Sequence, residues 1–280
     1  MLGAIEAGGT KFVCGAGTGP GDLETIRIPT TTPQETTGAA VEFLRSRKVR
    51  AVGIASFGPV DLAAGRITTT PKAGWRNFGL SEYVRQALGV PVAFDTDVNG
   101  AAMGEARWGA AQGTSDFLYV TVGTGIGAGA MVNGALLHGL SHPEMGHIRI
   151  PHDRARDPFA GVCPYHGDCL EGLASGPAME ARWGRPAHEL ASEHEAWALE
   201  AHYLAIGLAN WICALSPKLI LLGGGVARQA GLLAAIRTEV NAVLGGYVEP
   251  PPILAPGLGD RAGVLGALAL AEAGSNRAST

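Results

Sequence analysis

The sequence predicts an α/β protein built as two related halves. Three observations carry that expectation. Short apolar runs alternate with helical stretches along 280 residues, a length that suits two domains of ordinary size or one large α/β domain. A strand, a Gly-Gly-Thr turn and a returning strand near residue 10 are matched by a strand, a Gly-Thr-Gly turn and a returning strand near residue 124. The 42 glycines, about twice the usual share, gather at turns after apolar runs, as expected where backbone approaches a ligand.

Taken in order, Leu2 to Ala7 reads as a strand, Gly8-Gly9-Thr10-Lys11 as a tight turn, and Phe12 to Ala16 as the returning strand. The turn's N–H groups, the Thr10 hydroxyl and the Lys11 ammonium suit a phosphate, and an ordinary hairpin is the alternative. It is not a P-loop, which needs a different glycine spacing leading into a helix. Thr32-Pro33-Gln34-Glu35 has the pattern of a capping box with proline at the first helical position, and the helix is expected to run to about Arg47. Ala51 to Ala55 follows as a strand that turns at Ser56-Phe57-Gly58-Pro59. Thr69 to Asn77 reads as a polar surface loop with one tryptophan.

Val90 to Phe94 is the next strand, opening into Asp95-Thr96-Asp97-Val98-Asn99 ahead of an alanine-rich helix from Gly100 to Trp108. Capping needs one such polar residue. Two aspartates and an asparagine within five positions exceed that need, so they are candidates for base, metal partner or hydroxyl anchor. Phe117 to Val122 is a strand leading into Gly123-Thr124-Gly125-Ile126-Gly127-Ala128-Gly129. A dinucleotide fingerprint would need a helix at those glycines. Here the chain continues into an apparent strand, so that reading is set aside. The two matched hairpins instead suggest that each half brings a Gly-Thr turn to one nucleotide.

Gly176-Pro177 begins a helical region, and Ala196 to Leu215 is a long buried helix stopped at Ser216-Pro217. Lys218 to Leu222 is a strand followed by Gly223-Gly224-Gly225, where an adenosine could pack on bare backbone or the chain could simply turn. Val248 to Ala255 reads as an edge or crossover, Ala262 to Ala273 as a final helix, and the terminal GSNRAST as disordered.

A net charge of −4 with a pI near 6.1 offers no electrostatic case for nucleic-acid binding. No run reaches about 18 uninterrupted apolar residues, and the start MLGAIEAGGTKF lacks the features of a signal peptide. The expectation is a soluble cytoplasmic chain. Cys14 and Cys213, in apolar surroundings, are expected to be buried packing residues.

The densest chemistry lies between Ser141 and Pro177, which holds two of the four cysteines and four of the eight histidines. Cys163, His166 and Cys169 are spaced C-x2-H-x2-C, with Gly161, Pro164 and Gly167 marking a loop. Thiolate and imidazole are the ligands of a tetrahedral zinc site, and three from one loop leave a fourth to arrive from elsewhere. His147 and His152 both remain candidates for it. A disulfide between the two cysteines is the alternative, and one that a cytosolic chain disfavours. Glu144 and Glu171 bracket the loop, where a metal could hold nearby carboxylates rigidly for a substrate.

These residues resemble the ROK family of sugar kinases, specifically its bacterial fructokinase branch. The segments that carry the likeness are EAGGTKFV, SFGP, TPKAGW, DTDVNGAAMGE, YVTVGTGIGAG, HGLSHPEMGHI, CPYHGDCLEGLASGP and LLGGGV, in register along nearly the whole chain. The resemblance implies an actin-like ATPase (ribonuclease H-like) fold with two domains around a cleft and a zinc-bearing loop. The division expected is a small α/β domain from 1–114 plus 261–280 and a large one from 115–260. It implies transfer of the γ-phosphoryl group of MgATP to the 6-hydroxyl of fructose by a cytoplasmic homodimer.

By position, Asp97 matches the catalytic base, and Asn99, Glu144, His147 and Glu171 match residues that hold the sugar. Thr10, Lys11, Gly123, Thr124, Gly125, Pro177, Gly223, Gly224 and Gly225 match the nucleotide contacts. His147, Cys163, His166 and Cys169 match the zinc ligands. Two departures stand out: His166 replaces a cysteine common in the family, and Glu6 stands where many members have an aspartate, making it a candidate Mg²⁺ partner. The longer spacing from His147 to Cys163 keeps His152 open as a ligand. A mannokinase or glucokinase is the runner-up. A sugar-responsive repressor is disfavoured because the chain starts at its first strand and is acidic. A zinc protein without activity would have no use for paired Gly-Thr turns.

Overall fold

The computed structural model describes residues 1–70, 72 and 74–277, so Pro71 and Ala73 of the TPKAGW segment and the last three positions lie outside the described residues. The chain divides into two compact units, one of 1–113, 136–143 and 257–280, the other of 114–135 and 144–256. Residues 136–143, assigned to the second domain by the sequence division, pack with the first unit.

In unit 1, β1 (Leu2–Ala7) and β2 (Lys11–Gly17) form the expected hairpin, extended by β3 (Glu24–Pro29). Helix α1 (Pro33–Ser46) starts where Thr32 Oγ1 accepts the Glu35 N–H, with Pro33 in the first turn, and ends at Arg47. Strand β4 (Val52–Ser56) lies parallel to β1, the short β5 (Val60–Asp61) and β6 (Arg66–Ile67) pair with each other, and α2 (Leu80–Leu88) leads into β7 (Val92–Thr96). Helix α3 (Asp97–Trp108) follows directly. The sheet order is β3-β2-β1-β4-β7, with β4 and β7 parallel.

Both faces of this sheet are covered, which is why its parallel strands read as continuous apolar runs. Ile5, Phe12, Ile54, Leu80 and Val84 form one face's core. On the other, Ala4 and Ala55 meet Val264, Leu265 and Leu268 of the closing helix (Ala262–Arg277). That helix runs four residues past the expected end, so Gly274 to Arg277 are helical rather than disordered. Trp75, expected on a surface loop, is fully buried. Its indole packs 5.2–5.8 Å from the rings of Phe12, Phe57 and Phe78, and its Nε1 donates to Thr31 O at 2.9 Å.

Unit 2 repeats the sheet. Its β8 (Phe117–Val122) and β9 (Ile126–Val132) are an antiparallel hairpin followed by the short β10 (Ala135–Leu136). Helices α4 (Leu170–Ala174), α5 (Gly176–Trp183) and α6 (Ala196–Leu215) precede β11 (Leu219–Gly223), which lies parallel to β8. Helix α7 (Leu232–Leu244) then leads to β12 (Ile253–Leu254), parallel to β11. The order β10-β9-β8-β11-β12, with β8 antiparallel to β9 and parallel to β11, and β11 parallel to β12, matches the core of the first sheet. The turn at Gly123 therefore returns a strand, as expected, and opens no dinucleotide-binding helix. Helix α6 is long and apolar enough to cross a membrane by length and composition, yet 56% of its apolar window is buried within the fold.

Candidate active site

The junction of β7 and α3 carries the densest polar chemistry of unit 1. Thr96 caps the helix, its Oγ1 accepting the Asn99 N–H at 3.2 Å, so neither aspartate is needed as a cap. The helix opens three residues earlier than its sequence pattern indicates, which puts Asp97 in the first turn, where the helix dipole favours a negative charge. Asp97 is half-buried, and its Oδ1 accepts the Val98 N–H at 2.9 Å. Asp95 is buried and accepts from three donors: Thr96 N at 2.8 Å, Asn99 Nδ2 at 2.7 Å and His138 Nε2 at 2.9 Å. Asn99, expected to touch the acceptor, is only 1% exposed. Its amide is directed to Asp95, so the geometry favours a role in holding that carboxylate over direct contact with a ligand.

Glu6, on β1, faces the same chemistry. Its Oε2 is buried without a hydrogen-bond partner. Burial, reinforced by the charge of Asp97, pushes its carboxyl from the ordinary 4.5 up to about 7, against the pull of Lys11. A Cβ on Gly263 would lie 2.3 Å from the Glu6 carboxyl carbon, so only glycine leaves that space open. A desolvated carboxylate oxygen with no donor, electrostatically coupled to a second carboxylate, has the hard oxygen chemistry of a divalent-cation partner. On the neighbouring turn Thr10 and Lys11 are exposed, and the Gly8 N–H donates to Lys11 O at 3.0 Å.

In unit 2 the expected nucleotide residues converge. The Gly123 N–H closes its turn on Gly125 O at 2.9 Å, and Gly176 N, beside Pro177, donates to Gly123 O at 2.7 Å. Gly224 has φ of +95°, and a Cβ there would sit 2.2 Å from Val122 O, so the run from Gly223 to Gly225 lies against the end of β8. Thr124 is thus flanked by three glycine-bearing segments. Glu171 completes this side: its Oε2 accepts the Ile126 N–H at 2.9 Å, and its Oε1 lies 3.8 Å from His147 Nε2. Glu144 precedes a short 3-10 turn, Met145–His147, and is exposed.

The other edge of His147 meets the cysteines. His147 Nδ1 is 3.6 Å from Cys163 Sγ and 3.6 Å from Cys169 Sγ, and His166 Nδ1 is 3.6 Å from Cys163 Sγ. The four ligand atoms lie within 4.8 Å of one another. Zinc–sulfur and zinc–nitrogen bonds of about 2.3 and 2.05 Å at a tetrahedral angle give a sulfur–nitrogen separation of about 3.6 Å. The donor set therefore fits zinc. Both cysteines are free thiols, which removes the disulfide alternative. Burial pushes the Cys169 thiol up to about 11, so a cation is what would hold it as thiolate.

His152 is the candidate that drops out. Its ring is buried, with Nδ1 3.2 Å from Asp168 Oδ2 and Nε2 2.9 Å from Asp157 O, leaving neither nitrogen for a metal. Asp168 also pairs with Arg149 at 3.1 Å and Arg154 at 2.7 Å, and Arg149 donates to His166 O. Gly167 N donates to Cys163 O at 2.9 Å.

Comparison with known proteins gives the family. A model of the ROK family matches residues 2–273. This chain belongs to the ROK family. It is 45% identical to a fructokinase of Zymomonas mobilis, across 99% of this chain and 98% of that protein. A ROK hexokinase from Thermus thermophilus superposes with a TM-score of 0.84 at 31% identity, covering 99% of both chains. A ROK glucokinase from Streptomyces griseus, solved with glucose and AMPPNP, gives 0.78 at 28% identity over 98% of this chain and 99% of that one. The fold is the actin-like ATPase fold of the ROK sugar kinases.

Asp95 and His138 open the segments DTDVNGAAMGE and HGLSHPEMGHI, yet the sequence assigned no specific role to either, Asp95 being one of the polar candidates ahead of α3. His138 lies 43 positions away, and nothing local ties it to Asp95. Cys213 is exposed rather than packed, whereas Cys14 is buried and its thiol pushed up to about 12 by desolvation.

Proposed function

We propose that this ROK chain is an ATP-dependent fructokinase that transfers the γ-phosphoryl group of MgATP to the 6-hydroxyl of fructose, with Asp97 as the base. The observation that carries the reading is the position of Asp97 in the first turn of α3, half-buried, with capping done by Thr96. Phosphoryl transfer asks chiefly for positioning and charge stabilisation. Asp97 accepts the hydroxyl proton as the new P–O bond forms and the bond to the ADP leaving group breaks. Glu144, His147 and Glu171 hold the remaining sugar hydroxyls. Asn99 contributes by steadying Asp95.

Thr10 and Lys11 on one turn and Gly123, Thr124 and Gly125 on the other hold the phosphates. The run Gly223, Gly224 and Gly225, with Pro177 beside it, carries the adenosine. Bound Mg²⁺ would neutralise developing phosphate charge, and Glu6 is the carboxylate best suited to partner it, on the strength of its unpaired buried oxygen. Zinc on His147, Cys163, His166 and Cys169 would keep the His147 ring and the adjacent Glu171 in register. A homodimer in the cytoplasm, supplied with ATP and reducing enough for free thiols, completes the reading.

The test is a coupled ADP-release assay over a panel of hexoses. Fructose should give the highest kcat/KM. Preference for glucose or mannose would move the assignment to those kinases, and no release with any hexose would end it.

A further inference from the structure

The proposed reaction leaves one polar cluster of unit 1 without a ligand-facing role. Asp95, Asn99 and His138 meet beside the first turn of α3. Asn99 Nδ2 lies 2.7 Å from Asp95 Oδ1 and 3.3 Å from His138 Nε2, while His138 Nε2 lies 2.9 Å from Asp95 Oδ2. A carboxylate oxygen is an acceptor, so the contact pairs Nε2 as donor with Asp95 Oδ2 and leaves Nδ1 as the ring nitrogen turned to neither Asp95 nor Asn99.

Exposure separates the two members of the pair. The Asp95 side chain is 6% accessible and that of His138 is 38% accessible. One edge of the imidazole is therefore held by a buried carboxylate, while the His138 side chain as a whole keeps access to solvent. The segment that bears His138 is pinned a second time, because the Val60 N–H donates to His142 Nε2 at 3.1 Å. A buried acid orienting an exposed imidazole through one nitrogen is the arrangement that aims the other nitrogen at a ligand. Here it stands next to the turn that bears Asp97.

We propose that His138 is a specificity-determining contact of this site: its Nδ1 accepts a hydrogen bond from a hexose hydroxyl other than the one phosphorylated, and Asp95 with Asn99 holds the ring for it. The inference rests on the hexose-kinase reading and adds a sugar ligand to it. The contact asks for a hydroxyl donor, so it would distinguish hexoses by whether a hydroxyl stands opposite His138. Asp95 is a positioning residue in this scheme, acting through the imidazole.

Steady-state kinetics of His138→Ala, His138→Gln and Asp95→Asn would test it, using fructose and a set of deoxy analogues each lacking one hydroxyl. His138→Ala should raise KM for fructose about tenfold, the worth of one hydrogen bond. Its kcat and its KM for ATP should stay within about twofold of the parent, on the rule that lost uniform binding appears in KM alone. His138→Gln, whose amide can donate to Asp95 and accept a hydroxyl, should recover part of the loss. The analogue lacking the contacted hydroxyl should bind worse to the parent enzyme, with no further loss in His138→Ala.

An unchanged KM for fructose, or analogues penalised equally by parent and variant, would overturn the proposal. So would a fall in kcat with ATP and sugar KM rising together, which marks a general structural defect. If His138→Ala does not fold, His138→Gln against the same analogues decides the matter. Failure of the underlying reading looks different: the parent protein would release no ADP with any hexose, and the proposal would fall with it.

Discussion

Asp97 is the proposed base, and Glu6 beside it is a carboxyl whose pKa burial raises to about 7. Asp97→Asn keeps the shape of the side chain and removes its basicity. We expect kcat to fall by about 10²–10⁴, the usual contribution of a positioned base, with the melting temperature and ATP binding unchanged. Near-parental turnover would exclude Asp97 from that role. For Glu6 the raised carboxyl sets a pH dependence with a definite sign. The unfolded chain ionises near 4.5 and the folded one near 7, so between those values the folded state binds more protons and stability falls as pH rises. Glu6→Gln should flatten that slope in metal-free melts from pH 4 to pH 8, and it should also weaken the dependence of turnover on Mg²⁺. A slope unaltered by the substitution would place its origin elsewhere.

At the scale of elements, the loop proposed to hold zinc and the seat of α3 are organised in different ways. The loop from Arg149 to Cys169 is tied by backbone pairing at Cys163 and Gly167 and by the arginines around Asp168, and the four candidate ligands gather at its inner side. Purified protein should carry about one zinc per chain, by the four-ligand rule. Cys169→Ser should lose the metal and lower the melting temperature, because metal-binding energy is folding energy here. Elemental analysis and thermal melts read the two effects separately, and a fully active preparation with no metal would refute the site.

Helix α3 is seated by close backbone packing instead. A Cβ on Gly266 would fall 2.0 Å from Gly100 O, so the closing helix approaches α3 with no side chain between them. Many of the chain's glycines serve contacts of this kind. The expectation that the glycines serve ligand-facing turns meets real turns at Gly8 and Gly123 and misses this packing.

For the whole molecule, the repeated sheet order gives two halves of one topology, each with a glycine turn between its first two strands. A homodimer would give a light-scattering mass about twice the 28.7 kDa chain, and a monomeric mass at assay concentrations with full activity would remove the dimer from the account.

What the sequence determined by itself was whatever chemistry sits within a few residues. Gly-Thr turns flanked by apolar runs specify hairpins, because φ freedom and alternation are local properties. The candidate ligand set from Cys163 to Cys169 was legible for the same reason, since one short loop presents three of its four members. Only the tertiary structure set His147 beside the cysteines and engaged both nitrogens of His152 with Asp157 and Asp168. Burial of Trp75, the packing of the Glu6 carboxyl against Gly263 and the pairing of Asp95 with His138 were also decided at that level. Each depends on segments brought together from distant parts of the chain, and desolvation and hydrogen-bond partners exist only once that packing has formed.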